Sequence, residues 1–261
     1  MVLAPILWVI TAITVFLFVG KFWWFPVPIS AHGLAYDHQF QNTLVWVGLI
    51  FVLAQLVLGL AVWRFRGKGS GRAAYFHGNN KLEFLWTTAT LVLFVTLVAS
   101  SERIWAAVHL AKAPDNALKI EVLSKQFAWS FRYPGPDGKF GRTDIRQIND
   151  ANGNPFGIDD KDPAGKDDIV SATLHVPAGT PIRLTLKSRD VIHSFFVREL
   201  RLKQDLVPGM EIPLYFQADK IGSYELACAE LCGLGHHQMR SSLEVMSPAD
   251  FEKWLRQAAQ Q

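Results

Sequence analysis

Three stretches of this chain carry almost no charge, and they narrow its possible folds more than any other feature. Residues 1–20 hold no charged side chain. Residues 44–63 are also uncharged, with Gln55 their only strongly polar member, and residues 84–101 run uncharged between Glu83 and Glu102. Each is close to the roughly twenty residues that cross a bilayer as a helix. Hydrocarbon offers backbone groups no partner, so such a run must satisfy its own hydrogen bonds, as a helix does. Lys21 interrupts the first run, an aromatic segment follows at 22–25, and Pro26 and Pro28 close it. A cleaved signal peptide would show a basic n-region and a small-residue cleavage site. Neither is clear, so a retained first helix is expected.

The loop between the second and third runs carries Arg64, Arg66, Lys68, Arg72 and Lys81. The positive-inside rule puts this loop in the cytoplasm. The hairpin then starts and ends on the outer side, and all that follows residue 110 lies there too. The chain divides accordingly: 1–38 as an N-terminal apolar segment, 39–110 as a transmembrane hairpin and 111–261 as an outer domain.

Beyond residue 118 the period changes. Leu118, Ile120 and Val122 alternate with polar neighbours, and Phe127, Trp129, Phe131 and Tyr133 are expected on one strand face. Residues 134–168 are rich in Gly, Pro, Asp and Asn and read as a hydrophilic excursion. Strand signals resume at 169–176, 181–187, 191–197, 211–216, 222–228 and 241–246, with Pro and Gly between them. Short strands at this spacing read as a sandwich or barrel. Ser247 is a plausible cap for a short terminal helix, with Pro248 at its first position. The fold class expected is α+β: transmembrane helices followed by a β-barrel or sandwich domain.

The only two cysteines of the chain fall in Cys228-Ala-Glu-Leu-Cys232-Gly-Leu-Gly-His236-His-Gln-Met239. In an exported domain two cysteines commonly form a disulfide. Two thiolates with imidazoles also suit zinc. Zinc has no use for a thioether, whereas thiolate, imidazole and thioether together select copper. Gly233 and Gly235 permit the tight loop that gathering such ligands requires. A further ligand from a distant strand is expected at His193; His175 and His237 read as ordinary polar residues. No C-x-x-C-H occurs, so no c-type haem is attached. The net charge of +3 suggests no nucleic-acid partner.

These residues together resemble subunit II of the haem–copper cytochrome c oxidases. The resemblance runs through Lys81-Leu-Glu-Phe-Leu-Trp86, the aromatic stretch 127–133, Asp190-Val-Ile-His193-Ser, Lys203-Gln-Asp-Leu-Val-Pro-Gly209 and the whole of 228–239. It implies a cupredoxin-like domain carrying a dinuclear copper centre, CuA. Cys228 and Cys232 would bridge the coppers, His193 and Met239 complete one, and His236 with the Glu230 carbonyl complete the other. The Glu230 carboxylate would serve a magnesium or manganese ion at the interface with the catalytic subunit. Glu83 resembles the glutamate at the mouth of a proton-uptake path. Implied partners are the haem-containing subunit I, the other oxidase subunits, the lipid bilayer, and a cytochrome c or c-haem domain as donor. The implied location is a bacterial-type inner membrane, multi-pass, with the C-terminal domain periplasmic.

The chain departs from the family in places. The family has a tryptophan where Phe127 stands, so electron uptake is expected at Trp129, two residues on, ahead of Phe127. Met210 stands where many relatives have arginine, and the excursion is longer than in the shortest relatives. A quinol-oxidase subunit would lack these ligands, nitrous oxide reductase would need a propeller domain, and a disulfide-bonded anchor would need no His or Met.

Overall fold

The protein is described by a computed structural model covering residues 2–67 and 75–260. Lys68, Ser70 and Arg72 of the basic loop lie outside the described residues. Three helices come first: α1 (Leu3–Gly20), α2 (Ala31–Arg64) and α3 (Asn80–His109). All three are long and apolar enough to cross a membrane. Four of their hydroxyl side chains are satisfied within the helix: Thr11, Thr43, Thr90 and Thr96 each donate to the carbonyl four residues back. This removes donors that lipid could not serve. The Asn79 side chain accepts from the N–H groups of Lys81 and Leu82 and so starts α3.

The described residues form two compact units. The first holds α1 with the bulk of α2 and α3. Within it, Gln39 bonds Ser100, Ser101 and the Leu97 carbonyl across the hairpin, a polar contact between otherwise apolar helices. Gly59 lets α1 approach α2, since a side chain there would overlap the Trp8 indole.

The second unit joins Pro26–Tyr36 to the chain from Ile104 onward. It carries ten strands: β1 (Leu118–Lys125), β2 (Ala128–Tyr133), β3 (Ile169–Ser171), β4 (Leu174–Pro177), β5 (Pro181–Ser188), β6 (His193–Val197), β7 (Leu202–Leu206), β8 (Ile212–Gln217), β9 (Gly222–Cys228) and β10 (Arg240–Met246). One sheet runs β3-β2-β1-β5-β8 and the other β4-β10-β9-β6-β7. Pairing is antiparallel except for β1 with β5 and β4 with β10. Alternation builds the core: Ile120 and Val122 of β1, and Ile182, Leu184 and Leu186 of β5, are all fully buried. One apolar cluster gathers side chains from both sheets, as a cupredoxin-like domain requires. Ile29 joins that cluster, and its backbone bonds Glu199 and Asp219. The terminal helix α4 (Pro248–Ala258) starts at Ser247, whose hydroxyl accepts from the Asp250 N–H.

Two expectations are corrected here. Phe127 does not share a strand face with Trp129, Phe131 and Tyr133. The chain turns at Gln126 and Phe127, so alternation begins only at Ala128. Strand β7 was not expected, because Lys203-Gln-Asp205 reads as polar; it lies at a sheet edge, where only Leu202 and Leu206 are buried.

Candidate metal centre

Two strands and one loop build the site. Strand β9 ends at Cys228 and β10 begins just after Met239, so residues 229–238 form the turn between adjacent strands. Its base is closed by the Cys228 N–H, which donates to the Met239 carbonyl at 3.1 Å. A short 3-10 turn at His236–Gln238 brings His236 back toward Cys232. His193 opens β6, which pairs with β9 so that Phe195 lies opposite Cys228.

These placements converge. The Cys228 and Cys232 sulfurs lie 3.9 Å apart, and both thiols are free. The His193 Nδ1 is 3.9 Å from the Cys228 sulfur, and the His236 Nδ1 is 3.6 Å from that of Cys232. The Met239 sulfur stands 3.8 Å from Cys232, and the Glu230 carbonyl oxygen 3.2 Å from the Cys228 sulfur. His193, Cys228, Cys232 and Met239 are buried.

The donor set fits a soft metal. A sulfur separation of 3.9 Å is far beyond a disulfide bond of about 2.05 Å. It is less than two metal–thiolate bonds of about 2.3 Å each, so one ion reaches both sulfurs. Burial, then the neighbouring Cys228, push the Cys232 thiol up to about 11. A cation binding there would have to displace that proton to solvent, so uptake of a metal would release protons and weaken as pH falls. The thioether favours copper over zinc.

Two residues that hold these ligands carried no role in the sequence reading. Asp190 Oδ1 lies 2.8 Å from His193 Nε2. An ionised carboxylate only accepts, so Nε2 carries the proton and Nδ1 turns its lone pair toward Cys228. The second oxygen of Asp190 accepts the Gln126 N–H at 2.7 Å. The Gln126 side chain in turn donates to the Cys232 carbonyl at 2.5 Å. The acid three residues before His193 was the only sequence signal for this arrangement.

The aromatic candidates separate by exposure. Trp129 is 3% exposed and meets the His193 ring edge-on, with centroids 6.5 Å apart. It therefore packs in the core, beside a candidate ligand. Phe127 is 38% exposed. Its ring lies against Gly233 and Gly235: a side chain at Gly235 would meet ring carbons at 2.5 Å, and Gly233 also holds a φ of +136°. Leu231 and Leu234 of the same loop are strongly exposed. Glu83 lies in the first turn of α3, exposed, in the helical unit.

Comparisons with known proteins bear on the whole chain. The family model for the periplasmic domain of cytochrome c oxidase subunit II matches residues 118–246, and that for its transmembrane domain matches 19–104. A curated relative, the alternative cytochrome c oxidase subunit 2 of Bradyrhizobium diazoefficiens, is 36% identical, covering 91% of this chain and 84% of the relative. The probable cytochrome c oxidase subunit 2 of Rickettsia felis is 32% identical over 84% of this chain and 66% of its own length. Among solved structures, the periplasmic domain of subunit II of the Bradyrhizobium japonicum cytochrome oxidase aligns at 29% identity. That alignment covers 57% of this chain and 98% of that one, with a TM-score of 0.42.

Proposed function

This chain belongs to the cytochrome c oxidase subunit II family, and on that premise we propose that its β domain holds a CuA centre passing electrons from a cytochrome c to haem in the catalytic subunit. The observation that carries the reading is the convergence of two free thiols, two imidazole Nδ1 atoms and one thioether within a single loop and one neighbouring strand. Cys228 and Cys232 would hold both coppers through their thiolates. His193 and Met239 would serve one copper, and His236 with the Glu230 carbonyl the other. A bound copper pair would supply one-electron redox chemistry.

The chain's own part is rigidity and access. Paired strands fix Cys228 and His193, so the donors need not move between oxidation states. Asp190 keeps the His193 ring turned toward the metal. The exposed rim of Phe127, Leu231 and Leu234 offers an apolar surface to a donor protein. Trp129, buried and edge-on to His193, is a second candidate for electron uptake. The Glu230 carboxylate is assigned to a magnesium or manganese ion at the catalytic-subunit interface, and Glu83 to the mouth of a proton path. The three helices are assigned to a bacterial inner membrane, with the β domain periplasmic. The reduction of oxygen to water, with proton pumping, belongs to the partner subunit.

Metal analysis of the purified full chain tests the reading. Two coppers per chain and a purple oxidised form are expected. A single copper, or a Cys228–Cys232 disulfide in the loaded protein, would overturn it.

A further inference from the structure

The excursion between β2 and β3 is tied to the rest of the β domain, and one of its acids meets Lys125 and Arg189, at the ends of β1 and β5. Its base is held by Arg132, which is buried and pairs with Asp168 and with Glu121 at 2.9 Å, while its guanidinium also donates to the Gly141 carbonyl. Its body is tied by backbone bonds between Asp144 and Gly157 and between Arg142 and Asp159. At its tip, Asp150 opens a tight turn closed by Asn149 and Asn154. Asp150 takes a two-pronged contact from Arg189, at 3.1 and 2.7 Å, and a third from Lys125 at 2.7 Å.

The chain positions matter. Lys125 is the last residue of β1 and is followed by Gln126, which holds the Cys232 carbonyl. Arg189 follows β5 and precedes Asp190, which holds the His193 ring. Gln126 and Asp190 are bonded to one another. One carboxylate thus grips both segments that orient the candidate ligands from behind.

We propose that Asp150 is a positioning residue: the excursion uses it to brace Gln126 and Asp190, and through them the Cys232 loop and the His193 imidazole. The brace stands on geometry alone, while its effect on metal retention rests on the copper reading above. A two-pronged arginine contact fixes direction as well as distance, which a lone lysine pair would not. Partners one step removed from a metal ligand commonly carry about a tenfold or larger share of metal affinity. Asp150 stands a further step away and is partly exposed, so roughly a fivefold effect is expected.

The test uses the full chain in lipid nanodiscs, with Asp150→Ala, Asp150→Asn, the conservative Asp150→Glu, and Asp137→Ala. Asp137 caps a turn elsewhere in the excursion and serves as control. Two readouts are taken. In the copper-free chain, nitrogen-15 labelling of histidine reports whether His193 keeps a single Nε2–H tautomer. In the copper-loaded chain, transfer of copper to a chelator reports retention. Asp150→Ala and Asp150→Asn are expected to mix the His193 tautomers and release copper about fivefold faster. Asp150→Glu is expected to restore both, and Asp137→Ala to change neither. Wild-type behaviour of the two neutral variants in both readouts would overturn the brace. So would equal effects from Asp137→Ala, since any loosening of the excursion would then suffice. If the wild-type chain bound no copper, the copper reading would fall, and the His193 tautomer would still decide the brace.

Discussion

At the scale of single residues, the ligand set separates from the packing around it. Replacing Met239 by Leu keeps the buried volume, a change that costs under about 1.5 kcal/mol. Met239 stands 3.8 Å from the Cys232 sulfur, and on the copper reading the same change removes a weak ligand. The melting temperature of the variant should hold while its copper spectrum and reduction potential shift; an unchanged spectrum would remove Met239 from the ligand set. The two aromatic candidates are told apart by a pair of variants. Phe127→Leu, on the exposed rim, should slow reduction by the native donor about tenfold with stability held. Trp129→Phe, in the core with its indole N–H buried and unpartnered, should cost about 1 kcal/mol of stability and leave the docking rate alone. Stopped-flow reduction with parallel melting curves reads both, and the reverse pattern would return electron uptake to Trp129. The convergence of His193, Cys228 and Cys232 was legible in the sequence because metal chemistry restricts residue type and, within a loop, spacing. Their supports were not. Gln126 bonds residues 64 and 106 positions away, and only the fold brings such partners together.

At the scale of elements, alternation exposed most of the strands, hid one and ran two together: 169–176 reads as one strand but forms β3 and β4, in different sheets. The buried row of β5 repeats every second residue and that of β1 does so as far as Val122, whereas β7 shows only its two end leucines to the core. The excursion reads as a solvated loop because its residues are polar. Much of that polarity is turned inward on its own backbone: Asp144 and Asp162 cap short helical turns, and the Asn154 side chain ties Gln147 to Ile158. Its acid sensitivity follows from Asp150. The Arg189 guanidinium, with Lys125 beside it, holds that carboxyl at about 2, below its ordinary 3.8. A carboxyl depressed on folding stabilises the folded state above its unfolded value, and the contribution fades as pH falls through the folded one. The melting-temperature gap between wild type and Asp150→Asn should therefore be constant above about pH 5 and close between pH 4 and 2. Solvent reaches this pair, so the gap should be modest and shrink in salt. A gap that widened on acidification would contradict the assigned contacts.

At the scale of the whole molecule, the copper reading and the charge of the hairpin loop predict the same side of the membrane for the β domain. On the copper reading the thiols meet copper and a donor protein outside the cytoplasm, and the loop's charge predicts the same side. Arg64 ends α2, Arg66 follows it, and Lys81 lies in the first turn of α3, so the described basic residues of the loop flank one side of the hairpin. The remaining basic residues of that loop, Lys68 and Arg72, lie outside the described residues and add to the same side by sequence. An odd number of crossings would then place the N-terminus of α1 with the loop, and the β domain opposite. Cysteine labelling in intact cells checks this. The chain for labelling carries Cys228→Ser and Cys232→Ser to silence the native thiols, with one new cysteine at exposed Tyr75 or at Glu252 of α4. A membrane-impermeant maleimide added outside should label the Glu252→Cys chain and leave Tyr75→Cys unlabelled until the membrane is opened. Labelling of Tyr75→Cys from outside would invert the hairpin and place the β domain in the cytoplasm, away from any periplasmic donor. Labelling of both from outside would mean that α2 and α3 do not both cross, which would leave the apolar side chains of an uncharged run such as 84–101 in water at about 25 cal/mol for each Å² exposed.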